Sequence, residues 1–329
     1  MWRGIEVVKN ESDPKAPAHV ELSEQLDDSI LMPGDVTIDV EFSSLNFKDG
    51  IALTGKPGIV RAPRLIAGID LVGVVAESTD DRFTAGQRVL VNGCGLSETH
   101  HGGFAERARV PGDWVVPVPA GISNHQAAAI GTAGFTAMLS VLAIERGGVS
   151  GEVLVTGAAG GVGSVAIALL NKLGYSVTAS TGRESEHDYL RQLGATTIID
   201  RAELSAEPKA LMKQRWAGAI DAVGGSTLAS AIAATEYGGT VTACGNAQSS
   251  ELHTSVMPFI LRGVSLVGIN SVFTPRDLRL EAWSRLERDL DLGSLESTTS
   301  TIGLSNTIAA GADIMAGRIR GRTVVDVHG

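Results

Sequence analysis

The spacing of apolar and polar positions divides the chain into two styles. Up to about residue 123 the period is two. In "DVTIDVEFSSL", "QRVLVNG" and "GDWVVPVP" apolar side chains fall on alternate positions, the mark of half-buried strands. Pro33-Gly34, Pro57-Gly58 and Pro111-Gly112 punctuate these runs as turns. From residue 124 the style changes. "NHQAAAIGTAGFTAMLSVLAIERGG" is Ala-rich, helically spaced and closed by a Gly pair. Short Val/Ile-rich runs then alternate with helical ones: "EVLVTG", a helix from Val162 to Leu173, "YSVTAS", the helix "SEHDYLRQLG", then "TTIID", "GAIDAVG", "TVTACG" and "SLVGI". Runs without alternation suit a parallel sheet buried on both faces. The tail holds an amphipathic helix, "RDLRLEAWSRLERDL", a second helix around Asn306 to Ala316, and a closing strand, "RTVVDV", in the style of the first part.

This pattern predicts an α/β protein of two domains, as 329 residues allow. Residues 1–123 and 272–329 are expected to form one β-rich domain. Residues 124–271 form an inserted doubly wound domain, with a cofactor in the cleft between the two. Composition narrows the partners. A formal charge of -10 argues against nucleic acid and anionic membrane, and 4% aromatic residues argue against a base-stacking platform. Two cysteines in no paired motif fit a reducing compartment. No run approaches the about 18 apolar residues of a membrane span, and the N-terminus lacks a signal-peptide pattern. The expectation is a cytoplasmic protein.

The strongest local signal is "VLVTGAAGGVGSVAIALL", in which a strand runs into a Gly-rich turn and a helix. Read as a dinucleotide fingerprint, Ala158, Gly160 and Gly163 take the three glycine positions, the first of them a variant. Ala159, Gly160, Gly161, Val162 and Gly163 then offer backbone amides and a helix N-terminus to a pyrophosphate. The acid that binds the ribose of NAD belongs about 20 residues further on. There the chain has Thr181-Gly182-Arg183, a guanidinium without a carboxylate. Arginine pairs with the 2′-phosphate that a carboxylate would repel, so the expected cofactor is NADPH. The competing reading makes Arg183 a solvated charge and Glu184 a displaced ribose acid.

A metal is not expected. Cys94, His100 and His101 cluster in "CGLSETHHGG" but lack a fourth partner, and two cysteines cannot build a structural four-cysteine lobe. Without a Lewis acid, reduction of an activated double bond is easier than alcohol oxidation. It needs a hydrogen-bond donor where negative charge develops on the carbonyl oxygen. Asn46 in "SSLNFKDG" is the best side-chain donor, and Asp49 orients the loop or a water. Both residues also suit plain turn chemistry. In "LTGKPGIVRAPR", Lys56, Arg61 and Arg64 are candidates for the phosphates of a CoA thioester.

With these residues in place, the chain resembles the zinc-independent quinone-oxidoreductase branch of the medium-chain dehydrogenase/reductase superfamily. Within it, "SSLNFKDGIALTGK", "AGIDLVGVV", "IGTAGFTAMLSV", "TGAAGGVGS", "GRES", "WAGAIDAVGG" and "MPFILRGVSLVGINSV" look most like acryloyl-CoA reductases. Where zinc enzymes carry Gly-His-Glu, this chain has Gly68-Ile69-Asp70. The resemblance implies a GroES-like domain, a Rossmann domain, a homodimer and reduction of acryloyl-CoA to propanoyl-CoA. It also implies that Thr181 to Arg183 and Arg201 meet the adenosine phosphate. Phe47, Asn246, Ile260, Ser271 and Arg318 would line the cofactor site. Phe47 departs from the tyrosine common in relatives. An NADPH:quinone reductase and a non-catalytic NADPH-binding protein are the alternatives. The apolar "VSLVGINSV", as the last strand of an open sheet, is the expected dimer edge.

Overall fold

The computed structural model describes residues 1–10, 12–13 and 16–329. They form two compact units: Met1–Thr132 with Ser271–Glu281 and Leu295–Gly329, and Ala133–Asn270 with Ala282–Ser294.

The chain begins with strands β1 (Trp2–Val8), β2 (His19–Leu26) and β3 (Val36–Ser44), followed by a short helix α1 (Phe47–Leu53). Strands β4 (Arg64–Ile66), β5 (Asp70–Ser78), β6 (Arg88–Asn92), β7 (Arg107–Val110) and β8 (Val116–Pro117) come next. The Ala-rich run forms α2 (Asn124–Arg146), which breaks at Gly131, where φ is 50° and ψ is -162°. It is the one helix among the described residues long and apolar enough to cross a membrane, yet 89% of its most apolar stretch is buried inside the protein.

The second unit alternates strand and helix as the pattern predicts. It contains β9 (Glu152–Val155), α3 (Gly161–Lys172), β10 (Ser176–Thr181), α4 (His187–Gln192) and β11 (Thr197–Asp200). It continues with α5 (Ala202–Ser205), β12 (Trp216–Asp221), α6 (Gly225–Ala234), β13 (Thr235–Ala243), α7 (Met257–Arg262) and β14 (Ser265–Gly268). The strands make one parallel sheet in the order β11-β10-β9-β12-β13-β14. That is the doubly wound order with its switch beside β9, where ligands bind outside the strands' carboxyl ends. Leu154, Trp216, Ala219, Ile232 and Val241 pack in its core.

The tail adds α8 (Arg276–Asp289), α9 (Leu292–Ser297), β15 (Thr299–Gly303), α10 (Thr307–Met315) and β16 (Arg322–Asp326). The closing strand β16 joins the first unit's seven-stranded sheet beside β3, in the order β15-β16-β3-β5-β6-β8, with β7 also on β3. A three-stranded sheet, β2-β1-β4, completes that unit. Val36, Ile38 and Val40, the alternating residues of β3, are fully buried with Leu71 and Val89. The predicted division placed all of 272–329 in the β-rich domain. In the structure Ala282–Ser294 groups with the second unit. There Trp283 and Leu286 are buried, and Arg285 grips both Glu145 oxygens at 2.8 and 2.9 Å.

Candidate active site and dinucleotide-binding loop

In the first unit Asn46 belongs to a hydrogen-bond cluster centred on Asp70, the fully buried first residue of β5. Ser44 Oγ and Asn46 Nδ2 donate to its Oδ2 at 2.7 and 2.8 Å. Asn92 Nδ2 and Thr132 Oγ1 donate to Oδ1 at 2.8 and 2.6 Å, and the Thr132 amide reaches both oxygens. A buried carboxylate is tolerable only when its lone pairs are satisfied in this way. The break in α2 follows from it. The left-handed turn at Gly131 aims the Thr132 amide at Asp70, and a Cβ on Gly131 would fall 2.7 Å from Asp70 Oδ2 and Arg322 Nη2. Arg322, from β16, closes the cluster by donating to Ala129 O at 2.6 Å, Ser44 Oγ at 2.9 Å and Asn46 Oδ1 at 3.4 Å.

The predicted loop around Asn46 is the start of a helix. Asn46 is the N-cap of α1, and its backbone N–H donates to Asp49 Oδ2 at 2.9 Å, half of a capping box. The Asn46 amide nitrogen also faces Asp49 Oδ2 at 3.1 Å and Ser44 O at 3.2 Å, so its two hydrogens are directed into the protein. Asp49 Oδ1 accepts from the Ile69 amide at 2.9 Å. Burial, with the Asp70 charge next, pushes the Asp49 carboxyl up to about 7. Phe47, the first residue of α1, is by contrast 43% exposed.

Cys94, His100 and His101 have separate partners. His101 accepts from the Ile66 amide and meets Ile30 O, His100 packs edge-on to Trp114, and the Cys94 amide donates to Val272 O. Burial holds His101 below the usual histidine range. Among the described residues no group of three or more His, Cys, Asp or Glu is placed to hold a metal. The basic candidates differ in what holds them. Arg64 pairs with the buried Glu6, Arg61 lies 3.6 Å from Glu98, and Lys56 is exposed with no ion pair among the described residues. Arg318 is held by Asp313, and the Ser271 carbonyl accepts from Arg279. Asn246 follows β13 and Ile260, on α7, is 67% exposed.

In the second unit the Gly-rich turn joins β9 to α3. The sharp turn lies at Gly157, with φ of 59°, rather than at Ala158, so the first glycine's task falls one residue earlier than the fingerprint reading placed it. Gly160 is the N-cap of α3 and Gly163 lies in its first turn. A Cβ on Gly163 would fall 2.5 Å from Gly157 O, whereas one on Gly160 would lie 3.2 Å from that oxygen. The first turn of α3 contains no acidic residue. Its amides have no partners within the helix. This donor set fits a phosphate diester.

At the ends of β10 and β11 the structure brings Thr181, Gly182, Arg183 and Arg201 together. The Arg201 amide donates to Thr181 O and the Arg183 amide to Thr181 Oγ1. Arg183 Nη1 stands 3.8 Å from Glu186. Beside them a cavity of about 320 Å³ is lined by Thr181, Gly182, Glu184, His187, Ile198, Ile199 and Asp200. Its size, isoleucine side and polar rim fit a nucleoside, and no carboxylate stands at the end of β10 itself.

Sequence reading missed the structural importance of Asp70, Thr132 and Arg322. Their contacts join segments far apart in the chain, Arg322 and Ala129 being 193 positions apart.

Two family models match: the alcohol dehydrogenase GroES-like domain over residues 32–120 and the zinc-binding dehydrogenase over 161–288. The chain is 52% identical to the Escherichia coli protein named "Probable acrylyl-CoA reductase AcuI", over 92% of this chain and 94% of that protein. It is 46% identical to the acrylyl-CoA reductase AcuI of Ruegeria pomeroyi over the whole of both. The Salmonella enterica yhdH oxidoreductase, solved in complex with NADP, superposes with a TM-score of 0.95 at 49% identity, over 99% of each chain. The Bacillus subtilis protein yhfP, solved with NAD bound, does so with 0.92 at 44% identity, again over 99% of each. The fold is therefore a GroES-like domain with a Rossmann domain, and the chain belongs to the medium-chain dehydrogenase/reductase superfamily, within its acrylyl-CoA reductase family.

Proposed function

We propose that the protein is an NADPH-dependent reductase of short enoyl-CoA thioesters, with acryloyl-CoA converted to propanoyl-CoA. The observation that carries the reading is the end of β10. Thr181-Gly182-Arg183 stands where a ribose-binding acid would select NAD, with Arg201 alongside. End-to-end similarity to acrylyl-CoA reductases supports the substrate class. When bound, NADPH would supply a hydride to the β-carbon of the thioester, and a proton from solvent at the α-carbon would complete the saturated product. The amides of Gly161, Val162 and Gly163 would hold the cofactor's pyrophosphate, and the 320 Å³ cavity would take its adenosine.

Asn46 and Asp49 contribute by fixing the N-terminus of α1, because their polar groups are engaged with Asp70, Ser44 and Ile69. That leaves exposed Phe47 as the side chain of this turn offered to a ligand. Lys56 and Arg61 serve the CoA phosphates better than Arg64, which is committed to Glu6. The protein acts in the cytoplasm as a soluble homodimer joined along β14, the edge of the parallel sheet, where Leu266 and, on neighbouring α7, Ile260 and Leu261 are exposed.

The test is NADPH oxidation with acryloyl-CoA, crotonyl-CoA and a quinone in parallel, with the deuterium of labelled NADPH traced in the product. Label at the β-carbon of propanoyl-CoA is expected. Turnover of the quinone alone would move the protein to quinone reduction, and inertness to all three would leave a binding protein.

A further inference from the structure

We infer that Gly182 sets cofactor selectivity by making room for Arg201. The inference rests on the NADPH reading above. Gly182 lies just past β10 with its backbone outside the left-handed region, so conformation does not demand a glycine there. Space does. A Cβ at this position would lie 2.8 Å from Arg201 Cδ and 3.0 Å from Cζ, and closer still to Nε. The Cδ–Nε–Cζ end of Arg201 thus occupies the place a side chain at 182 would take.

Two further observations give the arrangement a purpose. The Arg201 guanidinium has no hydrogen bond or ion pair among the described residues, although the chain carries a formal charge of -10, whereas Arg183 has Glu186 nearby. Arg201 also follows Asp200 directly, and Asp200 and Gly182 both line the cavity beside it. An unpaired guanidinium held at the rim of a nucleoside-sized cavity is a receptor for a phosphate dianion. Because Arg201 is a flexible, exposed side chain, a methyl group at 182 displaces it without disturbing backbone or core. Selectivity should then change while the fold remains.

The experiment is calorimetric titration of the purified protein with NADPH and NADH, without substrate, for wild type, Gly182→Ala, Arg201→Ala and the double variant. Each single substitution should weaken NADPH on the order of 10–100-fold, as loss of a charge-assisted phosphate contact does. NADH should change by less than about threefold, and the double variant should bind NADPH no worse than the weaker single variant. Undiminished NADPH binding in Gly182→Ala, equal losses for both cofactors, or additive losses in the double variant would overturn the inference. Arg201→Ala, at an exposed position, tests it independently of how Gly182→Ala folds, and wild-type NADPH affinity there would overturn it alone. A wild-type protein with equal affinity for both cofactors would overturn the NADPH reading as well.

Discussion

Asn46 donates from its side-chain amide to the Asp70 carboxylate at 2.8 Å, and both side chains are buried. That bond ties the first turn of α1 to the start of β5, and through Asp70 to Thr132 and Asn92. Truncating Asn46 leaves the acceptors on Asp49 and Asp70 short of a donor inside the protein. Asn46→Ala should therefore cost roughly 1–3 kcal/mol of stability, the usual penalty for an unsatisfied buried group. Chemical denaturation of the cofactor-free protein measures it. An unchanged midpoint would show that Asn46 does not organise this turn, and would return its amide to the list of groups free to meet substrate.

The Asp49 carboxyl should leave a trace in the pH dependence of stability. Its pKa is raised to about 7 by burial and by the neighbouring Asp70 charge. Between its ordinary value near 3.8 and 7, the folded protein holds a proton that the unfolded chain has lost. The carboxyl's contribution is fully present below the lower value. It declines by up to about 1.4 kcal/mol per pH unit as pH rises, and levels off above 7. Asp49→Asn has no such proton. The difference in melting temperature, variant minus wild type, should rise from pH 4 to 7 and then flatten. A difference independent of pH would mean that Asp49 titrates like an exposed carboxylate.

Gly160 and Gly163 should separate binding from folding. At Gly163 a methyl group would press on Gly157 O and the Ala158 backbone, atoms that cannot move aside cheaply. Gly163→Ala should lose about 1–3 kcal/mol of stability, as overpacked sites do. At Gly160 the nearest atom is Gly157 O at 3.2 Å, a tight but adjustable contact. Gly160→Ala should fold near wild type yet bind NADPH at least tenfold more weakly, because its methyl group enters the space a pyrophosphate needs. Equal effects on folding and binding in both variants would remove this distinction.

The edge of the parallel sheet offers a test of assembly. β14 ends the strand order and carries exposed Leu266, with Ile260 and Leu261 exposed on the helix before it. A charge there opposes pairing with a second copy. Leu266→Glu should convert a dimer to a monomer in light scattering at micromolar concentration. A monomeric wild-type protein would remove the proposed dimer.

Sequence was a good guide where structure is periodic and local. The alternation of Val36, Ile38 and Val40 marks β3, and the buried strands of the second unit read as strands because they do not alternate. It was a poor guide where a short element has no stripe. In α1, seven residues long, the Asn46/Asp49 capping pair looks like turn chemistry. The strand "HVELSEQL" is too polar to stand out, and it is ordered by antiparallel pairing with β1. Gly131 hid inside an Ala-rich run because the need for it comes from Asp70, 61 positions earlier in the sequence. The same distance effect concealed Arg322. The Gly-rich turn between β9 and α3 was legible because its strand, turn and helix lie in one continuous segment.

The three basic residues of the "LTGKPGIVRAPR" segment should respond differently to substitution, because only one is bound to a buried acid. Glu6 is 3% exposed and accepts from Arg64 and Ser23, so the Arg64 charge compensates a carboxylate inside the protein. Arg64→Ala should lower the melting temperature, with acryloyl-CoA affinity following only as far as the fold does. Lys56 has no ion pair among the described residues, and the Arg61 guanidinium has there a single 3.6 Å contact, with Glu98, a carboxylate that Lys48 already grips at 2.7 Å. Removing either should leave stability within about 0.5 kcal/mol, as at most surface sites. If these side chains hold the nucleotide phosphates of CoA, Lys56→Ala and Arg61→Ala should raise KM for acryloyl-CoA severalfold. They should leave KM unchanged for an acryloyl thioester of pantetheine, which lacks those phosphates. Steady-state kinetics with the two thioesters makes the comparison internal to each variant, so a general loss of activity cannot imitate it. Parallel changes for both thioesters would move the CoA phosphates away from this loop.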